Sequence, residues 1–125
     1  MPRIKNFFTF LVTFGVLLPI FTISVHASGT ILIPAYFYPD IWNTPNNWYT
    51  MCDTLPAQSV VIMNPASGPG TSSNSDYEDV VTRCRDNDIN VIGYVDTNYA
   101  NRSSSLVEDD IDAYYSWYDF DGIFF

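Results

Sequence analysis

Cations are scarce in this chain: Lys and Arg total five against 14 Asp and Glu, and the net charge is −9. Arg3 and Lys5 stand at the extreme N-terminus, so beyond residue 27 only Arg83, Arg85 and Arg102 oppose the acids. Nucleic acid and anionic membrane surfaces are therefore poor partners, because both are held by cationic contacts. The one histidine, His26, lies in the same N-terminal stretch. Its position argues against catalytic thiol chemistry and leaves zinc without ligands, so no metal or organic cofactor is implied. What the chain has instead is aromatic residues, with nine Tyr, nine Phe and three Trp. Tyr and Trp are the side chains on which sugar rings stack, although most aromatics in any domain are core.

Residues 1–27 read as a signal peptide. Arg3 and Lys5 form the positive region, Phe7 to Ile23 is almost wholly apolar, and Val25-His26-Ala27 is a small-residue cleavage site. A signal anchor is the competing reading, since the apolar run is close to the shortest that spans a bilayer. The cleavage site and the polar Ser28-Gly29-Thr30 favour removal. Residues 28–125 would then be exported, with no stable membrane insertion, to the extracellular space or cell wall.

Apolar runs begin at Ile31, Val60, Val91 and Gly122, about 30 residues apart, with one helix-patterned stretch in each gap. This is the period of βα units feeding a parallel sheet through right-handed crossovers. The predicted strands are Ile31–Tyr36, Val60–Met63, Val91–Val95 and a last one from Gly122. Helix one is predicted to start at Thr44-Pro45, a cap residue followed by proline, with Trp48, Met51, Cys52 and Leu55 as its buried stripe. Helix two is predicted from the capping box Ser75-x-x-Glu78, burying Tyr77, Val80, Val81 and Cys84. Helix three is predicted from Ser105-x-x-Glu108, burying Val107, Ile111, Tyr114, Tyr115 and Tyr118. Asn64 to Gly70, with two prolines and two glycines, fixes a shaped loop.

The fold class is thus α/β, and three and a half βα units leave two open sheet edges and an uncovered inner face. Either the fold is a small open sheet or the chain is part of a (β/α)8 barrel, which needs roughly 250 residues; the second is favoured. A flavodoxin-like domain is weaker still, as Phe37-Tyr38-Pro39 offers no phosphate loop. Cys52 and Cys84 fall on consecutive helices of one face, and in an oxidising compartment an even pair suggests a disulfide. Two separate buried thiols are the alternative. Asn101-Arg102-Ser103 is a glycosylation sequon.

Five motifs in order carry a resemblance: Ile33 to Pro39, Asn64 to Gly70, Gly93 to Tyr99, Tyr114 to Tyr118 and Asp121 to Phe124. Together they resemble the spherulation-specific family 4, or spherulin-4-like, proteins. The resemblance implies a (β/α)8 TIM barrel related to glycoside hydrolase family 135, of which residues 28–125 would be the N-terminal half. It implies endo-acting cleavage of galactosamine or N-acetylgalactosamine polysaccharide. In the family the Gly-Ile-Phe strand runs into an Asp-Glu pair, with a further Glu on a later strand. The catalytic acids are therefore expected just after Phe125, and the chain as given is expected to hydrolyse nothing.

Glycoside hydrolysis normally needs two carboxyl groups flanking the bond. Most acids here, including Glu108 to Asp112, are assigned to helices as solvated faces and terminus partners. Asp119 and Asp121 are assigned to the turn before the last strand. Asp40 and Asp96 alone lie at the strand mouths, Asp40 as a loop residue. The substrate-binding candidates are Tyr36, Tyr38, Asn64, Tyr94, Asp96, Thr97 and Arg102. Tyr36 and Tyr38 would stack on or hydrogen-bond to a sugar, and Asn64 would offer an amide or else cap its own loop. Arg102 would pair with a mouth carboxylate or steady the loop. The alternative function is a non-catalytic secreted wall, spore-coat or carbohydrate-binding protein.

Overall fold

The structure, a computed structural model, describes residues 29–125; the signal-peptide reading of residues 1–27 lies outside the described residues. Four strands alternate with three helices: β1 (Leu32–Ala35), α1 (Asn47–Thr54), β2 (Val60–Met63), α2 (Ser75–Asp86), β3 (Asn90–Tyr94), α3 (Ser104–Tyr118) and β4 (Gly122–Phe124). The sheet is wholly parallel in the order β1-β2-β3-β4. The α/β reading and the partial-barrel topology are borne out.

The two faces of the sheet differ. Ala35, Val61, Met63 and Val91 point to the helices and are buried with Trp48, Cys52, Tyr77, Val80, Val81, Cys84, Tyr114 and Phe120. At Gly93 the sheet itself has been thinned. A Cβ there would stand 2.7 Å from the ring of Tyr114, so only glycine lets that ring lie on the strand. The Tyr114 hydroxyl donates to the Tyr94 carbonyl at 2.9 Å, tying α3 to the end of β3. On the other face, Leu32 and Tyr36 are exposed and Ile92 and Tyr94 half-buried, with Ile62 alone buried among them.

Cys52 and Cys84 are bonded, with a Cα–Cα distance of 4.5 Å, linking α1 to α2 on the outer face. Closing a loop of 32 residues stabilises the fold by about 3 to 4 kcal/mol on the chain-entropy account. Beside the disulfide Arg83 grips Asp53 with two hydrogen bonds of 2.9 and 2.6 Å and lies 4.3 Å above the Tyr49 ring. Both ends of this ion pair are 41% exposed, so it adds little beyond fixing helix orientation.

All three helix starts differ from the expected ones. Asn46, not Thr44, caps α1: its Oδ1 accepts from the Tyr49 N–H at 3.0 Å while its Nδ2 donates to the Asp40 carbonyl. A residue bonded to both loop and helix decides where the helix begins. Asn74 rather than Ser75 caps α2, accepting from the Asp76 N–H at 2.9 Å. α3 starts at Ser104 after Ser103, whose side chain makes no capping bond. Within α3, Val107, Ile111, Tyr114 and Tyr118 turn inward, but Tyr115 is exposed and Trp117 is half-buried in its place. Residue 115 lies one helical step, about 100°, from Tyr114, on the side of the stripe away from Trp117.

Asp121 is more than a turn residue. Its carboxylate accepts the Val91 N–H at 2.8 Å and its own N–H donates to the Val91 carbonyl at 3.1 Å, which aligns β4 with β3.

Candidate functional site

Register decides which residues meet at the C-terminal ends of the strands. Pro34, Ile62, Ile92 and Gly122 are level across the sheet on its inner face. Two residues further on, alternation returns Tyr94 and Phe124 to that same face, where Tyr36, just past β1, meets Tyr94. The Tyr36 and Tyr94 rings are 5.7 Å apart and tilted, and Tyr94 and Phe124 are 6.4 Å apart. Partial burial, and then the neighbouring Tyr94 hydroxyl, raise the Tyr36 pKa above the ordinary 10. That phenol therefore stays neutral at physiological pH, able to donate and accept.

Asn64 directly follows β2, the strand that lies between β1 and β3. Its Oδ1 accepts the Gly68 N–H at 3.2 Å and so holds the Pro65–Gly70 loop over the strand end. A Cβ at Gly68 would lie 3.0 Å from Asp110 Oδ2 and crowd that carboxylate.

Asp96 and Thr97 follow β3 directly. Asp96 Oδ1 accepts the Asn98 N–H at 2.8 Å, and the Thr97 carbonyl accepts the Arg102 N–H at 3.1 Å. Arg102 faces inward: Nη1 donates to the Asp96 carbonyl at 2.9 Å and to Asp110 Oδ2 at 2.6 Å. The guanidinium pKa is raised, chiefly by its hydrogen bond to Asp110. Arg102 is thus a clamp between the β3–α3 loop and the first half of α3. Asp110 was assigned to a solvated helix face; its side chain is only 22% exposed, because it is the partner of Arg102 under the Gly68 loop. With Asp96 they line a cleft of about 280 Å³ against the loop from Ala66 to Thr71.

Tyr38 does not join this row. The strand ends at Ala35 and the chain bends, so alternation no longer carries past Tyr36. The Tyr38 hydroxyl donates to Asp76 at 2.7 Å and accepts from Asn74 Nδ2 at 3.2 Å. Its ring meets Tyr77 edge-on at 5.5 Å. The hydrogen bond to Asp76 is the main cause of its raised pKa. It lines a separate cleft of about 260 Å³ near the start of α2.

Two residues that sequence reasoning missed belong to the rim. Phe124 extends the aromatic row, a place readable from the alternation of β4 had its register been known. Tyr99 is 97% exposed and borders a cleft of about 340 Å³ with Tyr94, Asp96, Thr97 and Phe125. Asn101 is exposed in the same loop, its N–H donating to the Asn98 carbonyl at 3.0 Å. Among the described residues, no cluster of three or more His, Cys, Asp or Glu is arranged to hold a metal ion. None of the helices described is long and apolar enough to cross a membrane.

A match to the spherulation-specific family 4 covers residues 30–125. The chain belongs to this family. It is 31% identical over 102 residues to Spherulin-4 of Physarum polycephalum, covering 75% of this chain and 30% of that protein. Among solved structures it is similar to Aspergillus clavatus Sph3, crystallised in complex with GalNAc, with a TM-score of 0.56 and 27% identity. That likeness covers 72% of this chain and 37% of the Sph3 chain. The chain therefore spans about a third of the length of these relatives. The family resemblance carried by the five motifs, and through it the relation to glycoside hydrolase family 135, is borne out.

Proposed function

We propose that this chain is the N-terminal part of a secreted glycoside-hydrolase-like protein, and that its strand-tip row receives an amino-sugar unit of a galactosamine or N-acetylgalactosamine polysaccharide. The observation that carries this is the meeting of Tyr36 and Tyr94, with rings 5.7 Å apart, and Asn64 at the end of the strand between theirs. A sugar has apolar C–H faces and a polar periphery. Aromatic rings suit the first, while phenolic hydroxyls and the Asn64 amide suit the second. Two faces gripping a ring between them would stand about 7 to 8 Å apart, twice a carbon–carbon contact. At 5.7 Å the pair is too close for that, so the sugar lies on the rings and not between them. The GalNAc in the Sph3 complex supports the same ligand class.

Cleavage needs two free carboxyl groups about 5 to 10 Å apart across the bond. Asp40 is bonded to Asn43, Asp96 holds its own loop, and Asp110 is paired with Arg102. On this reading the reacting acids are contributed by residues after Phe125, and the chain as given binds sugar without cutting it. The sequon at Asn101 carries an N-linked glycan if the host is a eukaryote, a mass increment that a glycosidase removes.

The test is titration of the chain with an α-1,4-linked galactosamine polymer, with reducing ends assayed in parallel. Weak saturable binding, lost in Tyr36→Ala and Tyr94→Ala, and no release of reducing ends are expected. Binding that survives both substitutions would overturn the assignment of the row, and specific release would overturn the assignment of the acids. A non-catalytic wall or coat protein is the second reading, favoured by the engagement of all three rim acids. An Asp-Glu pair encoded directly after Phe125 would decide against it.

A further inference from the structure

Tyr99 packs against almost nothing among the described residues. It is the most exposed of the large hydrophobic side chains among the described residues, at 97%, in a loop that is otherwise tightly held. The Asn98 N–H is bonded to Asp96, the Asn101 N–H to the Asn98 carbonyl, and the Arg102 N–H to the Thr97 carbonyl. Arg102 closes the loop from below through Asp96 and Asp110. Asn98, Tyr99 and Ala100 adopt left-handed backbone in succession, with φ of 47°, 52° and 65°. A bulky residue rarely occupies that region, and holding three non-glycine residues there costs conformational free energy. The outcome of that cost is a tyrosine presented to water at the edge of the 340 Å³ cleft that starts at Tyr94.

We infer that Tyr99 is a second sugar platform beside Tyr94, so that the rim takes an oligosaccharide running from the Tyr36–Tyr94 pair along the β3–α3 loop. This rests on the carbohydrate reading above. The cleft between the two platforms supplies polar partners in Asp96 and Thr97 for hydroxyl or amino groups of the bridging unit. Its ligand is a chain of amino sugars, not a single unit.

The experiment compares N-acetylgalactosamine with an α-1,4-linked galactosamine oligomer, titrated calorimetrically into the chain and its variants. Tyr99→Ala should weaken oligomer binding about three- to tenfold, the range of one aromatic contact, and leave monosaccharide binding unchanged. Tyr99→Asn removes the ring but suits left-handed backbone better. An equal loss in that variant shows that the ring and not the loop geometry is responsible. Tyr99→Phe should retain the affinity. Trp42→Ala, which removes another largely bare aromatic (84% exposed) from a different loop, should change nothing. Oligomer affinity unaltered in Tyr99→Ala and Tyr99→Asn overturns the inference alone. No binding of either sugar by the unsubstituted chain overturns the carbohydrate reading, and this inference with it.

Discussion

Replacing Gly93 by alanine should be the most damaging single-methyl change in the sheet. The added Cβ would stand 2.7 to 2.8 Å from three atoms of the Tyr114 ring. That ring cannot retreat. It is fully buried, stacked on Phe120 at 4.9 Å and fixed through its hydroxyl to the Tyr94 carbonyl. Overpacking of this kind costs about 1 to 3 kcal/mol. Displacing the ring also strains or breaks its hydrogen bond, worth about 1 kcal/mol. Alanine recovers about 0.5 to 1 kcal/mol by restricting the unfolded chain. The net loss is about 2 kcal/mol, which lowers the melting temperature of a domain this size by about 8 to 16 °C. Gly122→Ala is the internal control, since its Cβ would meet only the Ile92 Cγ2 methyl, at 3.3 Å. That change should stay within about 0.5 kcal/mol. Thermal and urea denaturation of the two variants, followed by circular dichroism, measures the difference. Melting of Gly93→Ala within a degree or two of Gly122→Ala would refute the account of how α3 packs on β3. It would also free the rim from its proposed dependence on Tyr114, because that contact sets the backbone from which Tyr94 projects.

Two further outcomes follow from the caps and the buried phenols. Asn74→Ala should destabilise the fold by about 1 kcal/mol and Ser75→Ala hardly at all, the reverse of what a cap at Ser75 requires; urea midpoints separate the two. Burial pushes the Tyr77 phenol up to about 12 and raises Tyr118 and Tyr114 as well. Their folded pKa values lie above the unfolded value of about 10, so the stability they contribute is intact below pH 10 and is lost as pH climbs towards 12. Denaturation midpoints should fall across that window, less steeply in Tyr77→Phe, and an alkaline profile identical in the two proteins would contradict the assignment.

The alternation of strands and helices was legible because it is local. Four short apolar runs at a near-constant spacing, the first three each followed by a 3.6-residue stripe, state the βα period without any tertiary knowledge. The stripe of α2 was read in full because all four of its residues lie on one helical face, whereas Tyr115 was miscounted because an aromatic next to the stripe looks like part of it. Helix starts failed for a different reason. Asn46 and Asn74 compete with nearby Thr and Ser for the same N–H groups, and the winner is set by loops that reach from Asp40 and Tyr38.

The rim divides along the same line. Tyr36, Asn64 and Tyr94 were placed together because residues at strand ends in a parallel sheet are fixed by register, and register follows from the apolar runs. Tyr38 lies apart from the row because β1 ends at Ala35 and the chain bends before it. Asp110 was missed because its meaning lies in Arg102, eight residues earlier in sequence, and in a glycine 42 residues earlier that leaves room for its carboxylate. Nothing in the spacing of acids along α3 distinguishes Asp110 from Asp109 or Asp112; only the packing of a loop from another strand does. The aromatic part of the site is therefore written in the period of the fold, whereas the charged part is written in long-range contacts. The same distinction bears on the proposed function: an aromatic row made by register persists in any chain that keeps the four strands. Acid–base chemistry depends on which carboxylates their partners leave free: at this rim Asp110 is held by Arg102, and one oxygen of Asp96 accepts the Asn98 N–H.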